Sequence, residues 1–237
     1  MIPAAPHAPF VGRGPLLRRL GAMYRAGKHV LLVGPAGVGK SLIVDQLARS
    51  FPLLRAPRSG CLGDFLADVE PQAGLAPADD LKLAARVHRF AAEVPKAGRT
   101  LVLDNVRRVP PRVAHLIRVM LIRQPVWLVV RSTAPLDLGH VWPYLFMFQR
   151  VDVPPFTPDE TRAFLSVVEF ERDRDELLRA ALRLHRLAAG HPGTLAALVA
   201  EVRCRAYDLR TTEGLRLLAL HARISLVESQ LLATREP

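Results

Sequence analysis

Gly34-Pro35-Ala36-Gly37-Val38-Gly39-Lys40-Ser41 meets every fixed position of the pattern G-x-x-x-x-G-K-[ST]. The chemistry behind that pattern is the capture of a triphosphate. Backbone N–H groups must turn inward around the anion, and glycine lets the chain bend and approach without a Cβ in the way. Lys40 then reaches the β/γ-phosphates, and the Ser41 hydroxyl can hold Mg²⁺. The pattern carries weight only between a strand and a helix. His29-Val30-Leu31-Leu32-Val33, short, apolar and β-branched, reads as a buried strand. Downstream, Leu42, Ile43, Leu47 and Ala48 recur at helical spacing, with Asp45, Gln46 and Arg49 between them. That helix would point its N-terminus at the phosphates and add its dipole.

A chain of 237 residues, 50% of them hydrophobic, has room for one large domain or for a core with a small second one. No run approaches the ~20 apolar residues of a membrane span. The stretch Met1–His7 lacks the charged and apolar parts of a signal peptide. Cys61 and Cys204 stand far apart and match no metal spacing. The expectation is a cytoplasmic protein with no membrane partner.

The net charge of +11 is unevenly spread. Residues 1–60 carry nine Lys/Arg against Asp45 alone, and residues 101–150 carry seven Arg against Asp104 and Asp137. The excess falls in the segments that bear the phosphate chemistry, where it would favour a nucleotide and also a nucleic-acid backbone. The predominance of arginine over lysine is equally compatible with a biased base composition.

Thr100-Leu101-Val102-Leu103-Asp104-Asn105 is the second landmark, a strand that ends in a carboxylate. Parallel sheets place ligands at the carboxyl ends of their strands, so Asp104 is expected beside the phosphate loop, holding Mg²⁺ directly or through water. Leu53-Leu54-Arg55-Ala56-Pro57 and Val126–Val130 read as further strands, as does Phe148–Val153. Helical spacing covers 62–70, 79–93 and 110–123, and 139–148 reads as a short aromatic-rich helix. In 110–123, Val113, Leu116, Ile117, Met120 and Leu121 share one side, whereas Arg108, Arg112, His115 and Arg123 form a basic face suited to DNA or a neighbouring subunit. Thr157-Pro158-Asp159-Glu160 is a helix start, with Thr as N-cap and Glu at the third position. Three or four helices follow, broken at Gly190-His191-Pro192-Gly193 and near 208–212.

Loop, acid-ended strand, polar strand end and helical tail, in that order, resemble an AAA+-type P-loop ATPase over residues 10–208. Within that superfamily the sequence is most similar to the origin-recognition, helicase-loader, transposition-regulator and STAND-like branches. The resemblance implies an α/β fold, a parallel five-stranded sheet in the order 5-1-4-3-2, in a core of residues 1–154 with a helical lid over 155–237. It implies ATP and Mg²⁺ as ligands, with residues 34–42 cradling the phosphates and Ser41 and Asp104 at the metal. Phe10-Val11-Gly12-Arg13 resembles the hhGRxxEL box that packs near the adenine, which brings in Val11, although Pro15 and Leu16 stand where the box has its acid. Arg131, before Ser132 and Thr133, is the implied γ-phosphate sensor. Arg150 falls where such assemblies place an arginine finger. Gly190-His191-Pro192 resembles the GxP start of a lid helix and brings His191 and Pro192 towards the nucleotide, but Gly193 and Thr194 replace the usual sensor arginine.

Asn105 departs from the family, where Glu or Asp commonly polarises the attacking water. An amide orients water but takes no proton at neutral pH. Lys40, Asp104, Asn105 and Arg131 are therefore expected to support slow turnover at most. Two functions stand open: a DNA-associated ATPase that assembles with ATP and recruits another enzyme, or a STAND-like nucleotide switch without DNA. A small-molecule kinase is a distant third, because no separate substrate-binding carboxylate is evident.

Overall fold

Val30–Val33 (β1), Leu53–Ala56 (β2), Thr100–Val106 (β3), Val126–Val130 (β4) and Gln149–Asp152 (β5) pair in parallel in the order β2-β3-β4-β1-β5. Read from the other edge, this is the expected 5-1-4-3-2. Strands β1 and β4 are buried at every position, because a parallel sheet needs helical crossovers that cover both its faces. The computed structural model describes residues 10–76, 82–168 and 174–233. The residues before Phe10 and positions 79–81 of the expected 79–93 helix lie outside that range.

The chain divides into two compact units, one of residues 14–36 and 40–153, the other of residues up to 13, 37–39 and from 154 on. In the sheet unit α1 (Gly14–Arg25) precedes β1, and the crossovers carry α2 (Lys40–Ala48), α3 (Leu62–Val69), α4 (Leu83–Glu93), α5 (Pro111–Arg123) and the single turn α6 (Pro135–Leu138). Strand side chains alternate between faces. Leu31, Val33, Leu101, Leu103, Leu128 and Val130 join Phe65, Phe90, Ile117 and Met120 in one core. Val30, Leu32, Val102, Trp127 and Val129 fall on the opposite face and are equally buried. The five residues expected on the apolar side of α5 are all buried.

Two expectations for the sheet unit are corrected. Residues 139–148 do not form an α-helix: Trp142–Met147 is a 3-10 turn with no buried residue. Pro143 in its first positions lacks an N–H to donate, and with only Tyr144 and Leu145 packed, partly buried, on the core, there is too little of a face to favour a longer helix. Strand β3 also runs past Asp104 to Val106. Pairing with β4 is regular from Leu101↔Val126 to Leu103↔Leu128, then shifts so that Val106 meets Val130. The shift is a bulge that contains Asp104 and Asn105, and Asn105 takes φ 53°. Asn tolerates that left-handed backbone better than most residues.

The second unit contains, among the described residues, five helices rather than three or four: α7 (Pro158–Val167), α8 (Arg174–Arg179), α9 (Ala181–Ala188), α10 (Pro192–Cys204) and α11 (Thr212–Ala233). Phe156, Phe164, Leu165, Leu184, Leu195, Leu198 and Leu218 form its core. The start of α7 has the full capping box, with Glu160 N–H donating to Thr157 Oγ1 at 3.1 Å and Thr157 N–H to Glu160 Oε2 at 2.9 Å. Glu160 also accepts from Arg13 N–H through Oε1 at 2.8 Å. Its carboxylate lies so close to Gly12 that a Cβ there would stand 2.7 Å from it, and with φ +72° the position admits only glycine without strain. Arg13 is buried, donates to Pro154 O at 2.6 Å and lies over the Phe156 ring at 4.8 Å.

Candidate nucleotide site

Strand β1 delivers the chain into the loop, and Gly34 N–H still donates to Val130 O at 3.3 Å. Gly37 and Gly39 take φ 76° and 93°, the left-handed turns that let successive N–H groups face inward. Helix α2 begins directly after, at Lys40. Its first residue is buried, with 8% of its surface exposed. Lys40 Nζ folds back and donates to Gly34 O at 2.6 Å and Pro35 O at 2.8 Å. Loss of hydration lowers its pKa, Arg131 lowers it further, and Asp104 works in the opposite direction.

Ser41 Oγ donates to Asp104 Oδ1 at 3.2 Å, and Asn105 N–H donates to the same oxygen at 2.8 Å. The acid at the end of the strand is thus brought to the hydroxyl behind the loop, and it is 3% exposed. A hydroxyl and a carboxylate side by side are the oxygen donors that Mg²⁺ takes, with water and phosphate completing its shell. The residues therefore fit a divalent cation at Ser41 and Asp104, where it would neutralise phosphate charge.

Asp104 Oδ2 has a different partner. Arg55, at the end of edge strand β2, donates to it through Nε at 3.1 Å and through Nη2. Its Nη1 meets Asp45, one helical turn beyond Ser41 on α2. Sequence reasoning missed Arg55, which reads as a polar interruption of a short strand. The signal lay in its position at a carboxyl end of the sheet, where ligands collect. Arg107 was missed as well. Its charge lowers the pKa of Arg131, second to the burial of that group, so Lys40, Arg131 and Arg107 form a linked cationic field.

The other candidates divide. Arg131 is exposed at the end of β4 and acts electrostatically on Lys40. Leu42 is 42% exposed. Pro192 is the first residue of α10, and His191 is its N-cap, with Nδ1 accepting from Thr194 N–H at 3.4 Å. Within the same unit, Gly193 N–H donates to Gly37 O at 2.9 Å. Val38 is buried, and Val11 packs on the helical core. Arg150 is held by Asp152 of its own strand, which raises its pKa through the hydrogen bond and the charge. Arg108, Arg112 and Arg123 are all exposed, and Arg123 also donates through Nη1 to Ala91 O at 2.6 Å.

Known structures share this arrangement of strands and helices. The chain superposes over 95% of its length on the Orc1 protein of Aeropyrum pernix in complex with DNA (TM-score 0.61, 18% identity, 68% of that chain). A Walker-type ATPase of Pyrococcus abyssi matches 99% of the chain (TM-score 0.63, 15% identity, 78% of that chain). The chain has the P-loop NTPase fold. The same fold relates it to a STAND protein with a tetratricopeptide repeat sensor from Pyrococcus horikoshii (TM-score 0.52, 18% identity, 89% of this chain and 32% of that one). In sequence, 130 residues are 28% identical to the tRNA modification GTPase MnmE of Bordetella parapertussis and of Bordetella bronchiseptica. That match covers 50% of this chain and 29% of those proteins, so the chain spans less than a third of their length. No protein-family profile matches the chain. Among the described residues no helix is long and apolar enough to cross a membrane.

Proposed function

We propose that this protein is a nucleotide-operated switch that binds ATP with Mg²⁺, hydrolyses it slowly, assembles in the ATP form and recruits or activates another enzyme on DNA. The observation that carries the reading is the meeting of Ser41 and Asp104 behind the loop at 3.2 Å. Around it stand Lys40, Arg131 and Arg107, a cationic field that a triphosphate would neutralise. Titration with ATP and with GTP, the nucleotide named for the MnmE relatives, tests the choice of base. Binding of neither would overturn the reading.

Slow turnover follows from position 105. An amide there leaves the attacking water without a general base. Asn105→Glu is expected to raise steady-state phosphate release at least tenfold, a well-placed general base supplying about 100- to 10,000-fold. The same change forces a less tolerant residue into φ 53°, so it is expected to cost about 1 kcal/mol of stability. Fast release by the unmodified protein would contradict the assignment.

A STAND-like module without DNA is the second reading, and Arg123 favours it. Arg123 is exposed, but its Nη1 is already engaged by Ala91 O at 2.6 Å, so a phosphate has to compete for that donor. Arg108 and Arg112 are exposed as well. If DNA is bound through two or three phosphates, log K should fall against log salt with a slope of about −2 to −3. Sizing with and without ATP and duplex DNA separates the readings. ATP-dependent assembly with no DNA affinity at low salt would select the second.

A further inference from the structure

The carboxylate that would steady the metal already holds a cation of the protein's own. Asp104 Oδ1 accepts from Ser41 Oγ and Asn105 N–H, and Oδ2 accepts two bonds from Arg55. A carboxylate has about four lone-pair sites, so all of its hydrogen-bonding capacity is taken. The side chain of Asp104 is 4% exposed, so little water competes for it.

The guanidinium is held in place from several directions. The backbone of Arg55 is clamped by one amide side chain, its N–H donating to Gln72 Oε1 at 2.8 Å and its C=O accepting from Gln72 Nε2 at 2.6 Å. Nη1 is anchored on Asp45. Ser41 and Asp45 lie four residues apart on α2 and so share a face. Ser41, Asp104, Arg55 and Asp45 thus close a ring that ties the helix behind the phosphate loop to β2 and β3.

Resting on the nucleotide reading above, we infer that Arg55 is a resident counter-ion in competition with Mg²⁺ for Asp104, so that nucleotide affinity in this protein depends little on the divalent cation. A guanidinium on Oδ2 supplies the positive charge that Asp104 otherwise seeks from a metal. A metal drawing on Asp104 has to loosen Arg55, and Asp45 remains to hold the released group. The attraction between Mg²⁺ and Asp104 is thereby offset against the loss of the Arg55 bonds.

The test is nucleotide affinity of the full chain, measured with fluorescent ATP in excess Mg²⁺ and in EDTA. The unmodified protein is expected to change less than about threefold between the two. Arg55→Gln keeps a donor for Oδ2 but removes the charge, and Mg²⁺ is then expected to strengthen binding by at least tenfold. Manganese should report the same contrast by electron paramagnetic resonance, with Mn²⁺ retained on the nucleotide complex more tightly in the variant. Arg55→Lys, which restores the charge, should return towards the unmodified ratio. A dependence of tenfold or more in the unmodified protein would overturn the inference while leaving nucleotide binding intact, and that measurement needs no variant to fold. So would an Arg55→Gln ratio equal to that of the unmodified protein. No binding in either buffer removes the nucleotide reading and this inference with it.

Discussion

Lys40→Ala is expected to lower nucleotide affinity at least 100-fold while leaving the fold in place. The ammonium lies within reach of two loop carbonyls, at 2.6 and 2.8 Å, and an arriving phosphate would take over those donors. Hydrogen bonds to charged groups are worth about 1.5–3 kcal/mol each. Two of them lost correspond to roughly 3 kcal/mol or more, two decades in affinity. Arg131 and Arg107 supply charge nearby, but neither replaces an amine rooted at the first residue of α2. The effect on stability has the other sign. Burial pulls the pKa of Lys40 below the ordinary lysine value, so the unfolded chain holds that proton more tightly. At neutral pH the charged side chain therefore disfavours the folded state, a penalty that fades only as the pH rises towards the ordinary lysine value. Alanine removes it, and the thermal midpoint is expected to stay within about 3 °C, given the few degrees per kcal/mol of chains this size. Unchanged affinity would refute the site, and an unfolded variant would show up in circular dichroism before any titration.

The largest expected loss of stability lies away from the chemistry, at Trp127. It occupies the centre of the sheet, paired in register with Val30 on one side and Val102 on the other. No part of it is exposed, and its indole N–H donates to Lys28 O at 3.1 Å. Trp127→Ala removes the largest fully buried side chain among the described residues and orphans that carbonyl. Such truncations cost about 3–5 kcal/mol. For a chain of this size the thermal midpoint should fall by roughly 6–20 °C. Differential scanning calorimetry gives the answer directly, and a shift under about 2 °C would mean that the centre of the sheet is not packed as described.

The order of strands was legible because several local signals agree. Residues 34–41 fix a strand–loop–helix unit, and the apolar runs at 30–33, 101–103 and 126–130 leave little choice of buried strands. The Thr157 capping box was legible for the same reason, since its chemistry is confined to four consecutive residues. What stayed hidden depends on residues far apart in the chain. Arg55 meets Asp104 across 49 positions and Asp45 across 10, and no periodicity announces such a meeting. The 142–147 stretch misled through its hydrophobicity, which suggested a face to bury where the chain makes only a 3-10 turn. Asn105 was read for its chemistry alone, although its backbone supplies a second reason for an amide at that position.

The bond from Arg13 to Glu160 joins residues 147 positions apart, and it bears on how the protein is made. A ribosome adds about 5–20 residues per second. Roughly 7 to 30 seconds therefore pass between the synthesis of Arg13 and that of its partner. Through that interval the first helix, the phosphate loop and the whole sheet emerge while the guanidinium of Arg13 has neither the Pro154 carbonyl nor the Phe156 ring to rest on. The segment around Arg13 thus waits for the first helix of its own unit before it can dock.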